Sequence, residues 1–400
     1  MEAAFLTASS PRRIRQRNEV AALQALYQSG LMSRADLARA LRLNRSSAGH
    51  IIAALAADGL VREADEATPE GGYARAGRPG VELELVAEAR SFLGIEIGVE
   101  HISVAEIDLS ARLVRTEGRP FAGAGAGMKG AVASAFAFAR QAVPKKSFDR
   151  CEGIGVCAPA HIDSAGYVRA APLLGWRGVR LSDAVRSASP VSAATLVEND
   201  ANAFAFGAAY RRSALRSGVT LCLVMESGLG GGVIVEGKLF RGAHGVAGEI
   251  GHLIMSSEGE SHRSLEQAIG LGAVPDRYAR VATRAPTLAS LLADVTDGHS
   301  PAVAIAEDWA RSLAFGLSQT CRIVDADRIV LGGSLAALYR PMERRVMDAM
   351  RGFQDVSFPL PEILVEPDGG TGPAFGAACL MHQRYLSLQS QRLSDAEEES

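Results

Sequence analysis

Cysteine is scarce in this 400-residue chain, with five residues at positions 151, 157, 222, 321 and 379 and no CxC or CxxC spacing among them. That excludes a disulfide scaffold and a cysteine-cluster metal module, and it fits buried free thiols in a reducing compartment. Long hydrophobic runs are also missing. The longest weakly polar stretch, Phe121 to Ala139, is rich in Gly and Ala and broken by Lys129. It reads as a loop leading into a buried helix and not as a membrane span. The opening residues, MEAAFLTASSPRRIRQ, lack an apolar core behind a basic start, so no secretory signal is expected. A soluble, cytoplasmic protein without membrane contact is the expectation.

Net charge is small as well, −3 over the whole chain. Its distribution is uneven: residues 11–62 carry nine arginines against three acids (Glu19, Asp36, Asp58). That segment is therefore about +6 and the rest about −9, a basic module on an acidic body. Four hundred residues exceed one simple core, so two or three domains are expected.

The basic segment has a recognisable order. Residues 14–30 carry apolar positions at helical spacing and end at Gly30, a helix-stop signal. Ser33-Arg-Ala-Asp36 opens a second helix with a variant capping box. Asn44 caps a third helix, Arg45 to Ala57, whose buried side is Ala48, Ile51, Ile52 and Leu55. Asp58-Gly59 stops it before a strand. Three helices followed by a strand pair is the winged helix-turn-helix order. The third helix would present Arg45, Ser46, Ser47, Gly49 and His50 to a major groove, with Arg34 and Asn44 beside it. Arg45 could read a guanine edge or clamp a phosphate. A three-helix protein-interaction module is the bland alternative, and the arginine excess favours DNA. Residues 64–80 read as linker and wing, where Gly77-Arg78-Pro79-Gly80 places Arg78 in an extended turn of the kind that enters a minor groove.

From Ser91 the pattern changes to strands. Three strands, a helix, a strand, a helix, a strand and a helix (Ala201–Tyr210) are followed by a second pass through the same plan, which ends in a helix over 373–386. A βββαβαβα unit used twice predicts two lobes with a ligand cleft between them. Around residue 230, Gly228, Gly230, Gly231 and Gly232 suggest a loop whose amides approach an anion, or simply a hairpin. Asp200, just before a helix, would by itself be a helix cap.

Several segments in order carry a more specific signal: Gly153-Ile-Gly-Val-Cys-Ala-Pro159, Ala171-Pro-Leu-Leu-Gly-Trp176, Val197-Glu-Asn-Asp-Ala-Asn202, Arg241 to His252, and Leu265-Glu266. Together they resemble the ROK family of sugar kinases and sugar-responsive repressors, over nearly everything after residue 80. The resemblance implies a duplicated actin-like, hexokinase-type domain of two lobes (residues 81–200 and 201–390) behind a winged helix-turn-helix and linker (1–80). Residues 391–400 read as a disordered acidic tail. It further implies that Asn199, Asp200, Glu249, His252 and Glu266 line a sugar pocket, with Asp200 where the kinases hold their base. Carboxylates, an amide and an imidazole suit a polyhydroxyl ligand.

Three departures bear on activity. The kinase loop resembling Asp-x-Gly-Gly-Thr-Lys reads Glu96-Ile-Gly-Val-Glu-His101 here, and the usual Gly-Thr-Gly reads Glu226-Ser-Gly228. Carboxylates Glu100 and Glu226 would face the phosphates of ATP and repel them. Where relatives carry zinc-binding cysteines, Leu253 to Ser264 has none. His262 is a possible second ligand beside His252 but makes a poor structural site, so no metal and no cofactor are expected. The expectation is a regulator, a repressor of carbohydrate-utilisation genes, with operator DNA and a sugar effector as partners and a homodimer or homotetramer as its assembly. The rivals are a sugar kinase with an appended DNA-binding domain, and a regulator whose cleft has lost small-molecule control.

Overall fold

The computed structural model describes residues 11–64, 81–258, 261–355, 357–366 and 372–387. The wing turn with Arg78 and the acidic tail lie outside the described residues.

The head forms as the sequence predicts. Helices Pro11–Ser29, Arg34–Ala40 and Arg45–Ala57 pack around Leu26, Leu37, Ile52 and Leu55. Gly30 closes the first in a left-handed conformation (φ 77°), its N–H donating to Leu26 O at 2.8 Å. The Ser33 hydroxyl accepts from the Asp36 N–H at 3.1 Å, and the Asn44 side chain accepts from the Ser47 N–H at 2.8 Å. The Asp36 carboxylate takes the Ser33 hydroxyl proton at 2.6 Å, so it serves the cap's side chain rather than its backbone. The third helix buries Ala48, Ile51, Ile52 and Leu55, the four residues its spacing marks.

The boundary expected at residue 80 needs correction. Strand Glu82–Leu85 lies beyond it yet is the centre of the head's antiparallel sheet, between Met32–Ser33 and Val61–Glu63. Leu83 and Leu85 alternate inward with Glu82 and Glu84 outward, so this strand completes the head's core.

Each lobe is built on a five-stranded sheet. In the first, Leu113–Pro120, His101–Asp108, Ser91–Ile97, Cys151–Ala158 and Ala194–Asn199 stand in that spatial order; in the second, Lys238–Phe240, Leu229–Val235, Val219–Met225, Arg328–Gly332 and Glu362–Val365 do. The orders are the same: an antiparallel meander followed by two parallel strands reached by crossovers. The expected duplication is thus a duplication of topology. Two additions were not read from sequence: a small sheet of His161–Ile162, Tyr167–Ala171 and Trp176–Arg180, and a hairpin of Ile254–Glu258 with Ser261–Ser264.

Two helices cross between the lobes. Helix Asp200–Arg211 leaves the first sheet and lies on the second; helix Gly372–Tyr385 leaves the second sheet and lies on the first. The latter was expected within a lobe ending at residue 390, but its packing belongs to the first lobe. A Cβ on Gly94 would collide with the carbonyl of Ala374, and one on Gly153 would strike Met381. The two helices also touch each other, for a side chain on Gly376 would run into the carbonyl of Ala203. Small residues let these backbones approach closely, which makes the pair a compact pivot under the cleft.

The glycines at 230–232 are corrected by the same packing. They lie inside strand Leu229–Val235 and are not a free loop. A Cβ on Gly230 would stand 2.6 Å from the Ala201 methyl, and one on Gly232 2.6 Å from that of Ala205. The run lets a strand lie flush against helix Asp200–Arg211. The turn that follows uses Glu236 and Gly237 at φ 50° and 70° to join the two strands expected there.

Candidate functional site

The cleft between the lobes forms a cavity whose walls include Asn199, Asp200, Glu249, His252 and Glu266, the five residues singled out from sequence. Each is held by a different device. Asn199, not Asp200, caps the crossing helix: its side-chain oxygen accepts from the Asn202 N–H at 2.9 Å while its amide donates to Ala160 O at 3.2 Å. Asp200 is thereby released from capping and placed at the first helical position, on the floor of the cleft. Burial, then the nearby Glu96, pushes its carboxyl up to about 7, against the pull of the Ala201 N–H.

Glu266 accepts from the Leu229 N–H at 2.8 Å, and its short helix is fixed by a capping box between Ser264 and Gln267. The Arg241–His252 segment is anchored by a bridge that sequence reasoning passed over. The Arg241 guanidinium donates to Glu198 Oε2 at 2.6 and 2.8 Å, and Glu198 Oε1 accepts from the Asn199 N–H and the Asn202 amide. Glu198 is buried, so this charge-assisted pair ties the loop bearing Glu249 to the strand end bearing Asn199. An acid directly before a helix-capping asparagine, with a second asparagine in the first turn, was the available signal.

His161 was also missed. It projects from the small added sheet into the same cavity, 3.3 Å from Glu249.

At another part of the cleft wall the lining acids Glu226 and Glu96 are engaged by the protein itself. The Ser334 N–H donates to Glu226 Oε1 at 2.7 Å, and its hydroxyl lies 2.9 and 3.0 Å from the two carboxylate oxygens. The amide at the start of the Ser334–Leu338 turn thus already has an anion. Glu96 is buried, accepts from the Ser103 hydroxyl at 2.7 Å and stands 3.3 Å from His101 Nε2. That contact, reinforced by Glu226 and Glu100, raises the His101 imidazole above its usual range despite desolvation. The hairpin of Ile254–Glu258 with Ser261–Ser264, the segment where the family resemblance implies zinc-binding cysteines, carries no cysteine, and its His262 lies exposed.

The head's outer face is simpler. Arg45, Ser46 and His50 are exposed along the N-terminal half of the third helix, with Ser47 half-buried beside them. Arg45 has no acidic partner among the described residues. Arg34 does: its guanidinium meets Glu63 at 2.7 Å, and Arg62 meets Glu84 at the same distance. Part of the arginine excess therefore braces the wing. Asn44 faces solvent, its oxygen committed to the cap.

Head and lobes are joined by an aromatic cluster. Tyr27 of the first helix stacks on Tyr210 (5.7 Å between rings) and meets His382 edge-on at 4.9 Å. The fully buried His382 is fixed in one tautomer: Nε2 donates to Leu109 O at 2.8 Å, so Nδ1 accepts the Tyr210 hydroxyl at 2.6 Å. Arg216 lies over both tyrosine rings. Tyr210 and His382 sit near the C-terminal ends of the two crossing helices whose N-terminal ends, at Asp200 and Pro373, line the cleft.

A winged head on a duplicated, hexokinase-type pair of lobes is the class of molecule this geometry defines. Residues 92–384 match the ROK family, and the chain belongs to it. It is 27% identical over 242 residues to a xylose repressor of Caldicellulosiruptor bescii, covering 60% of this chain and 59% of that one, so the match spans under two thirds of the repressor. In fold it is similar to a ROK family transcriptional regulator, a homolog of the E. coli MLC protein (TM-score 0.75, 19% identity, 94% and 98% of the two chains). It is also similar to a ROK glucokinase from Streptomyces griseus in complex with glucose and AMPPNP (TM-score 0.63, 24% identity, 73% and 99%). Regulators and kinases thus share this fold. Among the described residues no helix is long and apolar enough to cross a membrane.

Proposed function

We propose that this protein is a sugar-responsive, DNA-binding transcriptional regulator of the cytoplasm, acting as a repressor of carbohydrate-utilisation genes and not as an enzyme. The observation that carries the reading is the helix Asp200–Arg211, which starts in the cleft and ends at Tyr210 against Tyr27 of the head. A ligand that draws the lobes together moves the pivot under the cleft and, through Tyr210 and His382, the base of the head. Only differential affinity for the two arrangements makes such a ligand an effector.

In this reading Asn199, Asp200, Glu249, His252 and Glu266 hold the hydroxyls of a sugar. Arg45, Ser46, Ser47 and His50 meet base edges and phosphates, with Asn44 and Arg34 ordering the helix and wing, and Arg78 reaches a minor groove. Two heads in a homodimer, or four in a homotetramer, read paired half-sites. Against the kinase reading stand Glu226, seated on the Ser334 amide, and the Glu96–His101 pair, in the two segments that resemble the phosphate loops of the kinases.

The test is binding to the promoter beside the protein's own gene, at fixed salt, with and without a panel of sugars. One sugar is expected to change a specific affinity. Specific binding indifferent to every sugar would remove the cleft from the account. No specific binding would remove the regulator.

A further inference from the structure

His161 of the first lobe and the Glu249–His252 segment of the second converge in the cleft. His161 Nε2 lies 3.3 Å from Glu249 Oε1, and His252 Nε2 lies 3.8 Å from Glu249 Oε2. The two imidazoles stand 6.3 Å apart at 78° to one another. One ligand atom from each of the three residues lies within 4.8 Å of the others. Zinc–nitrogen and zinc–oxygen bonds of ~2.1 Å in a tetrahedron place neighbouring ligand atoms roughly 3.4 Å apart. The His161–Glu249 separation already has that value. The His252–Glu249 separation is a little longer, and His252 is two-thirds exposed.

Both sides of the trio are anchored. The strand bearing His161 is tied to Asn199 through Ala160 O, and the loop bearing Glu249 is tied to Glu198 through Arg241. Such outer contacts hold metal ligands in register. The surroundings favour a cation too. Five carboxylates, of Glu96, Asp200, Glu226, Glu249 and Glu266, line the cavity with no lysine or arginine among its described lining residues.

We infer that the cleft binds a divalent transition-metal ion of the zinc class, held by His161 Nε2, His252 Nε2 and the Glu249 carboxylate. Two imidazoles and one carboxylate leave coordination open toward the cavity, as in sites that keep a position for a ligand. A vicinal diol could fill it, so the ion would take part in reading a polyhydroxyl effector. The expectation of no bound metal is drawn from the Leu253–Ser264 segment alone, where His161 and Glu249 play no part.

The inference rests on the cleft being the ligand site, and a titration without sugar separates the two claims. Metal-free full-length protein is titrated with Zn²⁺ by calorimetry and with Co²⁺ by visible absorption. The expected result is one ion per chain, with the intense band of four-coordinate cobalt. His161→Ala and Glu249→Gln are each expected to weaken uptake by at least about 100-fold, the upper end of what losing even an outer contact costs. His262→Ala is expected to leave uptake unchanged. His161→Gln replaces the alanine variant if that one fails to fold by circular dichroism. Absence of uptake near one equivalent would overturn the inference. So would uptake untouched by His161→Gln and Glu249→Gln, or uptake abolished by His262→Ala. Failure here leaves the sugar reading standing, and a sugar failure beside intact metal uptake does the reverse.

Discussion

Two walls of the cleft, each with groups from both lobes, differ in what they leave open. On one wall Asp200, Glu249, His252 and His161 face the cavity, their backbones held by neighbours such as the Asn199 cap and the Glu198–Arg241 bridge. On the other, Glu226 fills the Ser334 amide and Glu96 engages Ser103 and His101. The first wall's bonds fix its backbone, and its side chains face the cavity, with His161 and Glu249 3.3 Å apart. The second satisfies its groups internally. An anion on the second wall must displace Glu226 from the Ser334 amide, whereas a ligand on the first meets side chains that already face the cavity.

The contrast can be broken at several points. The largest effect is expected from Glu249→Ala: sugar affinity falls at least about 100-fold, near 3 kcal/mol, by calorimetry, with little change in thermal stability. Equal sugar affinity would misplace the open wall. Next is acid. His382 is held neutral in its buried site, at about 4 against an ordinary 6.5. The unfolded chain takes up a proton below 6.5 that the folded chain refuses, so stability is full above that value and is lost as pH falls from 6.5 toward 4. The loss is about 3 kcal/mol. It is read by denaturant unfolding, and His382→Gln is expected to flatten this acid limb.

Tyr27→Ala tests the coupling of the open wall to the head. Sugar and operator binding each persist, while the shift of one by the other drops below about fivefold, under the usual range of allosteric coupling. Full coupling in this variant would send the signal by another route. Arg45→Ala is expected to cost about 1–3 kcal/mol of operator affinity if it reads a base; if it clamps a phosphate, the salt slope falls by about one. The smallest effect belongs to Glu226→Ser. Freeing the Ser334 amide admits nucleotide weakly by equilibrium dialysis, yet Glu96, Glu100 and His101 still prevent turnover. Appreciable sugar phosphorylation by this single variant would mean that one carboxylate was all that separated the protein from a kinase.

Much of this was legible in the sequence because it rests on local rules. Ser33, Asn44 and Gly30 are capping residues where caps occur, and the period of Ala48, Ile51, Ile52 and Leu55 is that of one helix face. The motifs around Asn199 and Glu249 brought five residues to one cavity although they come from three distant segments. What the sequence hid was tertiary. The glycines at 230–232 have the composition of a loop, and only the approach of Ala201 and Ala205 makes them a strand. Helix Gly372–Tyr385 follows the second lobe in the chain but packs on the first. Glu82–Leu85 looks like the start of a new domain until Met32 and Val61 are seen on either side of it. His161, in a segment with no helical or strand periodicity, gave no sign of its partners.

The most direct test of the account is the operator affinity of the full-length protein at fixed salt, measured with sugar alone, with Mg-ATP alone and with both. The account predicts that sugar alone shifts the affinity by about tenfold or more. It also predicts that Mg-ATP changes nothing in either titration and that no ADP forms. A sugar effect that requires Mg-ATP, or that consumes it, would contradict the claim that one wall of the cleft is open and the other closed.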